Sequence, residues 1–419
     1  MKRLFPFTEI IPLVLKSFLL AFLNPQFWPV FLLIVGLIAL QYRRMGRLRE
    51  YFFHQKSGRV WADVIMAAGF GLLGGLAGSC LIVFIGLALS GADLIYLWPA
   101  AILLMLIDMR FLCFAYAGGL LAISSLLLGF PQVNIPQIMA LVAVLHMVES
   151  MLILVSGHLG AAPAFIKDAG GRVVGGFTLQ RFWPIPLVVL AVASAGAVHE
   201  AVEMPDWWPL IKPSVSGELQ SLAFTLMPVV AGLGYSDVSI ARSPVEKSRL
   251  SALHLGFYSL ILLILAVLAE SSRAAALAAA LFSPLGHETI IYLSRRIEVC
   301  GEALYVPPAR GMRVLDVAPD TAAWQAGIRS GDIILAVNGL ELTGKYNFYQ
   351  MQQEAFLPLM VDYFSRAAGE NRRRLLVPAG SGDWGLVPVP EGNEKKYVEL
   401  WTAGPLGRWL GKFWGKIQS

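Results

Sequence analysis

The sequence predicts an α-helical polytopic membrane bundle followed by a small α/β, mostly β, domain. Three observations carry this. Of 419 residues, 57% are hydrophobic and only 15% are charged, a balance that excludes an ordinary soluble chain. The apolar residues gather in blocks long enough to cross the ~30 Å hydrocarbon core of a bilayer. The blocks end near residue 294, and beyond them the composition is that of a soluble domain, with alternating strand patterns punctuated by glycine.

The first apolar region, IIPLVLKSFLLAFLNPQFWPVFLLIVGLIALQY, is interrupted at Asn24-Pro25-Gln26. It reads as a tight helical hairpin or as one kinked helix. No small-residue cleavage site follows it, so it is expected to be retained. Further helical spans are expected near 64–89, 94–107, 111–130, 138–155, 184–202, 219–234, 250–269 and 274–293, giving about 8–10 spans over residues 1–294. The stripe AAGFGLLGGLAGS holds Gly71-x-x-x-Gly75 and Gly74-x-x-x-Gly78. That spacing permits close packing, and is expected to act inside this bundle in preference to forming a dimer face.

Basic residues orient the spans. RRMGRLREYFFHQKSGR, residues 43–59, holds six Arg or Lys against one Glu. Alternate later loops repeat the bias with Arg110, with Lys167, Arg172 and Arg181, with Arg242, Lys247 and Arg249, and with Arg295 and Arg296. The loops between them hold only Lys212 and Arg273. The positive-inside rule makes the basic loops cytoplasmic, and the C-terminal domain with them. The expected location is the cytoplasmic membrane, multi-pass. The net charge of +5 is modest, and nothing points to nucleic acid.

After an expected linker at 295–303, RGMRVLDVAPDTAAWQAGIRSGDIILAVNGLEL carries the most information. Met312 to Val317 alternates as a strand, and Pro319-Asp320-Thr321 opens a short helix. Gly331-Asp332 turns the chain into a strand from Ile333 to Val337, and Asn338-Gly339 closes a hairpin-type turn. NFYQMQQEAF then reads as a helix and the segment after it as two strands joined by a glycine turn. The order of AxxAGI, GDxI and xNG resembles a PDZ domain of the bacterial type over 304–379. That resemblance implies peptide capture by strand addition. The accepting strand would be Met312, Arg313, Val314 and Leu315, with Phe348, Met351 and Gln352 on the facing helix. The loop Pro308-Ala309-Arg310-Gly311 would offer N–H groups to a terminal carboxylate, or the domain would bind an internal segment, or serve only as a docking surface.

An extension, 380–400, leads to the tail PLGRWLGKFWGKIQS within 401–419. On a helix, Leu406, Trp409, Leu410, Phe413, Trp414 and Ile417 form one apolar face flanked by Arg408, Lys412 and Lys416. Such a basic amphipathic segment suits an anionic membrane surface; packing on the soluble domain is the alternative.

Catalytic signals are incomplete. His54, His146, His158, His199, His254 and His287 are the histidines, and five lie in or beside expected spans, where ionisable groups become site candidates. His199-Glu200 and His287-Glu288 resemble half of a zinc protease motif. The second histidine, needed four residues on, is replaced by Glu203 and Ile291. Cys80, Cys113 and Cys300 have neither metal spacing nor a disulfide framework. No cofactor or catalytic residue is expected. Glu149 and Glu288 would serve a transport pathway or pair within the bundle.

Several apolar spans, a C-terminal PDZ-type domain and no protease motif together resemble the MinJ family of cell-division topological determinants. So does the N-terminal run LVLKSFLLAFLNPQFWPVFLLIVGLIALQYRR, broken by Asn-Pro and closed by basic residues. The resemblance implies a non-enzymatic scaffold that binds protein partners through its PDZ domain while seated in the lipid bilayer. It implies partners of the DivIVA and MinD kinds, linking a polar scaffold to the ATPase that restrains the division ring. The alternative is a transporter or regulatory membrane protein with a PDZ sensor domain, and less so a membrane protease.

Overall fold

The computed structural model of the chain describes residues 5–53, 60–88, 91–168, 170–193, 202–213, 223–354, 358–377, 384–392, 394 and 397–398. The N-terminal part begins with helices α1 (Phe7–Ala21), α2 (Phe27–Phe53), α3 (Val60–Ile85), α4 (Gly91–Ile107), α5 (Phe114–Leu128) and α6 (Ile135–Ser156), with a 3-10 turn at Met109–Leu112. Strands β1 (Ala162–Lys167), β2 (Val173–Ala193) and β3 (Ala223–Ser239) follow, then helices α7 (Pro244–Leu268) and α8 (Arg273–Cys300). The chain is a membrane protein: among the described residues five helices are long and apolar enough to cross a bilayer, and two shorter apolar helices cover 95–107 and 114–128. The Asn24-Pro25 break separates α1 from α2, with the Trp28 indole N–H donating to the Phe22 carbonyl across the turn.

Two expected helical spans, 184–202 and 219–234, are instead strands at 184–193 and 223–234. The reason lies in Pro184-Ile185-Pro186. A proline in a helix interior costs ~3 kcal/mol or more, and two of them two residues apart exclude that stretch from a helix. In a strand the same spacing puts both prolines on one hydrogen-bonding edge. The valines and other apolar residues around them suit the extended backbone.

β2 pairs antiparallel with β3 from Phe177↔Ser239 to Ala193↔Ala223, but with β1 only as far as Thr178. Beyond Thr178 one edge of β2 lacks a neighbouring strand among the described residues, and an unsatisfied amide in hydrocarbon costs several kcal/mol. From Phe182 to Leu190 side chains, prolines and one backbone bridge answer this. The Phe182 N–H donates to the Tyr42 hydroxyl at 3.3 Å, and that hydroxyl donates back to the Phe182 carbonyl. Pro184 and Pro186 have no N–H to satisfy. The Val188 N–H donates to Ser79 Oγ at 2.8 Å, and Leu190 bridges to Ala88.

α3 therefore lies along a strand edge. A Cβ on Gly71 or Gly75 would stand 2.0 or 1.9 Å from the carbonyl oxygen of Pro184 or Pro186. Gly78 meets Leu187 and Val148, while Gly74 meets Leu152 on α6. The small-residue stripe acts inside the bundle, with a strand as its main counterpart.

The contacts separate two ends. At one end the Leu210 N–H donates to the Ile85 carbonyl, and Asn134 and Gln137 donate to the Lys212 carbonyl. There the Lys212 N–H reaches Glu270, and Arg273 reaches the Leu126 carbonyl. Phe5, ahead of α1, packs on Phe84 and Trp207 at this same end. The opposite end carries the basic loops and the soluble domain. There Lys247, fully buried, pairs with Asp237 at 3.2 Å and Glu298 at 3.9 Å, and donates to Ser294. Glu298 also accepts the N–H groups of Ile240 and Ala241 and a guanidinium N–H of Arg242. These groups tie the end of β3 and the start of α7 to the end of α8.

The expected linker at 295–303 is helical over most of its length. α8 continues to Cys300; Leu304 then donates its N–H to the Ile240 carbonyl, and the Gly175 N–H donates to the Tyr305 carbonyl. The soluble domain contains β4 (Met312–Val317), α9 (Ala322–Gln325), β5 (Ile333–Val337), β6 (Leu340–Glu341), α10 (Lys345–Glu354), β7 (Leu359–Ser365), β8 (Glu370–Leu376) and β9 (Leu386–Pro388). The sheet runs β8-β7-β5-β4-β9, with β6 on β5. Asn338 and Gly339 both take positive φ, 50° and 79°, as a tight hairpin turn demands. β9 lies inside the segment expected as an extension, so the domain reaches past residue 379. Tyr305, Leu315, Val387 and Val389 are buried in the hydrophobic core of the membrane part, so the two parts share packing.

Replacing Gly75 with Val should force α3 off the β2 carbonyl edge and lower the thermal midpoint in detergent, an overpacking cost of ~1–3 kcal/mol or more. Gly36→Ala, where a Cβ meets nothing within 4 Å, should leave the midpoint unchanged or raise it. Scanning fluorimetry of the two variants separates the outcomes.

Candidate peptide-binding groove

Strand addition needs a free edge, and the sheet order decides which strand has one. β4 does not. Met312 and Arg313 pair with Ile334 and Ile333 of β5, and the Val314 N–H donates to the Asp332 carbonyl. On its other side β4 pairs with β9, Val314 with Pro388 and Val317 with Leu386. The expectation that Met312, Arg313, Val314 and Leu315 accept a peptide is therefore corrected: both edges of β4 are occupied. Their side chains are spent elsewhere too. Met312 and Val314 are buried in the core of the domain, and Leu315 packs against Gly175 on β2. Arg313 donates to the Leu304 carbonyl at 2.7 Å, and its burial lowers its pKa from the usual arginine value.

The loop before β4 is likewise misplaced for carboxylate capture. Arg310 is exposed, while Gly311 takes φ +78° and lies so close to the Ile334 carbonyl that a Cβ would be 2.3 Å from it. This glycine lets the chain enter beside β5 and faces no groove along β4.

Among the described residues the sheet ends at β8 on one side and at β9 on the other, and β9 is the end strand next to β4. The Gly385 carbonyl accepts from the Ala318 N–H, and the Val389 N–H donates to the Arg313 carbonyl. Residues 385 and 389 thus turn their polar backbone groups towards β4. Because these directions alternate along a strand, Leu386 and Pro388 turn theirs outward. Proline lacks the N–H, so the outward-directed groups are the Leu386 N–H and two carbonyls, on a strand whose three residues are all buried. An added peptide would gain few main-chain bonds, and its side chains would have to supply the selectivity.

α10 flanks both ends of β9. Phe348 is fully buried with its ring edge-on to Trp384, centroids 5.1 Å apart. Met351 packs partly buried against the same core, and Gln352 lies one residue on in α10. At the other end the Lys345 N–H donates to Glu391 Oε1 at 2.7 Å, which places a carboxylate at the positive end of the helix. Lys345 also pairs with Glu394. Burial alone would raise the Glu394 carboxyl, but the Lys345 ammonium and backbone N–H donors outweigh it and hold the pKa below its usual value. Phe348 and Met351 therefore pack into the domain core close to β9, a strand that local reading does not identify. α2 runs close to β9, so the membrane part forms a third border.

Outside the groove, the structure separates His287 from Glu288. Glu288 pairs with Arg110 at 3.0 Å and accepts from the Tyr116 hydroxyl at 2.7 Å, while His287 faces Cys113 and His146. The tail residues Trp409, Leu410, Lys412, Phe413, Trp414 and Lys416 lie outside the described residues.

Comparison with known proteins agrees with this architecture. The PDZ domain family matches residues 313–353. The chain is also similar to the cell division topological determinant MinJ of Bacillus subtilis (strain 168), with 24% identity over 359 residues, 81% of this chain and 85% of that protein.

A peptide selected for binding to the full chain should bind at least tenfold more weakly to Leu386→Pro, which removes the outward N–H. Arg310→Ala should bind unchanged. Fluorescence anisotropy on the detergent-solubilised variants reads both, and the reverse pattern would restore the loop before β4 as the site.

Proposed function

We propose that the chain is a non-enzymatic membrane adaptor that offers its PDZ domain to cytoplasmic protein partners during selection of the division site. The observation that carries this reading is a PDZ fold built into the end of a membrane bundle, with β9 ending its sheet next to β4 among the described residues. Tyr305, Leu315, Val387 and Val389 join the membrane core, so the groove is held at a set position relative to the bilayer. The end that bears the PDZ domain also bears the basic loops, which under the positive-inside rule supports a cytoplasmic side for it. Similarity to a cell division topological determinant over most of both chains supports the division role. Partners of the DivIVA and MinD kinds fit it, one marking the pole and one restraining the ring. The groove is bordered by Leu386, Pro388, Phe348 and Met351, and the tail at 401–419 is proposed to lie on the inner membrane surface.

The test is imaging of a fluorescent fusion expressed in the native cell at its natural level. Enrichment at septa and poles is expected, and deletion should misplace septa. The Leu386→Pro variant should keep its membrane signal but lose enrichment at septa and poles. Uniform membrane fluorescence of the wild-type fusion, with normal septa after deletion, would overturn the division role.

A further inference from the structure

Three side chains far apart in sequence converge where α5, α6 and α8 meet. Cys113 caps the N-terminus of α5, His146 lies mid-α6 and His287 lies in α8. Cys113 Sγ is 3.1 Å from His146 Nε2 and 3.7 Å from His287 Nε2, and all three donor atoms lie within 4.8 Å of one another.

The hydrogen bonds behind the rings fix which nitrogen carries the proton. His146 Nδ1 is 2.7 Å from the Val142 carbonyl, an acceptor only, so Nδ1 carries the hydrogen and Nε2 presents a lone pair. For His287 the relay is longer. Glu288 is paired with Arg110 and accepts from the Tyr116 hydroxyl. The hydroxyl oxygen is then left to accept from His287 Nδ1 at 3.2 Å. His287 Nε2 therefore also presents a lone pair. Two imidazole lone pairs and one sulfur converge, and the single S–H proton can serve only one of the rings.

A cation resolves this arrangement. Orienting a metal-bound histidine through its other nitrogen is the usual outer-shell design of metal sites. Metal–nitrogen bonds of about 2.0–2.1 Å and a metal–sulfur bond of about 2.3 Å in tetrahedral geometry separate S from N by about 3.6 Å. The observed 3.1 and 3.7 Å bracket that value. We propose that Cys113, His146 and His287 form a zinc site inside the membrane bundle. One thiolate and two imidazoles suit a borderline-soft d10 ion. Binding forms one Zn–S and two Zn–N bonds and releases the thiol proton to solvent. Glu149 lies three residues after His146 on α6, and no hydrogen bond or ion pair to it is seen among the described residues. As a carboxylate it would balance the charge left by Zn2+ and one thiolate. The bound ion would join three helices, α8 among them, which leads directly into the PDZ domain.

The test uses the full chain purified in detergent through a tag free of histidine, dialysed against trace zinc and analysed by plasma mass spectrometry. About one zinc per chain is expected. Cys113→Ser and His287→Ala should each lower it at least tenfold, while His254→Ala should retain it. Cobalt added to the metal-free wild-type chain should produce the near-ultraviolet thiolate-to-cobalt band, a readout that needs no variant to fold. Absence of both stoichiometric zinc and that band in folded wild-type protein would overturn the proposal and leave a hydrogen-bonded thiol. Zinc that survives the Cys113→Ser and His287→Ala substitutions would overturn it as well.

Discussion

A strand edge inside a bilayer must be satisfied by protein, because hydrocarbon offers neither donor nor acceptor. In this chain that edge belongs to β2, and much of the membrane part is arranged around it. Pro184 and Pro186 remove two donors, while Tyr42 and Ser79 satisfy the amides on either side. The glycines of α3 bring a helix backbone against the proline carbonyls, close enough for weak Cα–H···O contacts. A side chain at Gly71 or Gly75 would remove that approach. The same stripe then sets how α6 packs, through Leu152 against Gly74 and Val148 against Gly78.

The hairpin also carries order from the membrane to the PDZ domain. Its Val173–Thr178 end pairs with β1 and receives Tyr305 and Leu315 against Gly175. Near the end of its other strand, Asp237 neutralises buried Lys247 together with Glu298 of α8. Removing one partner from such a buried set costs ~3–5 kcal/mol, so the two ends of the joint are hard to separate. A PDZ domain packed in this way has β9, one end of its sheet, close to α2. For an adaptor that geometry favours partners able to approach along the membrane surface, and it makes the groove part of the whole fold.

What could be read from the sequence follows from how local each cause is. β4 and β5 occupy the expected residues, because alternation and the turn residues Gly331, Asn338 and Gly339 are local signals. The hairpin was missed because an apolar run of that length looks helical, although Pro-x-Pro carries the period of two that excludes a helix. Local reading does not find the groove strand, because β9 comes from about seventy residues beyond β4, past four strands and two helices. The intramembrane histidines stood out one by one, but the separations among Cys113, His146 and His287 have no spacing that announces a site. Only helix packing brings them together, and with them Tyr116, Glu288 and Arg110 in one relay.

The account depends most on β2 and β3 being strands that α3 closes within the membrane. Carbon-13 chemical shifts of Val188, Val189, Val229 and Val230, measured by solid-state NMR on the full chain in lipid bilayers, test it directly. Cα shifts below and Cβ shifts above their random-coil values, with cross-strand correlations between Val188 and Pro228, are the expected result. Helical shifts of the opposite sign at those valines would contradict the hairpin and the role given to α3.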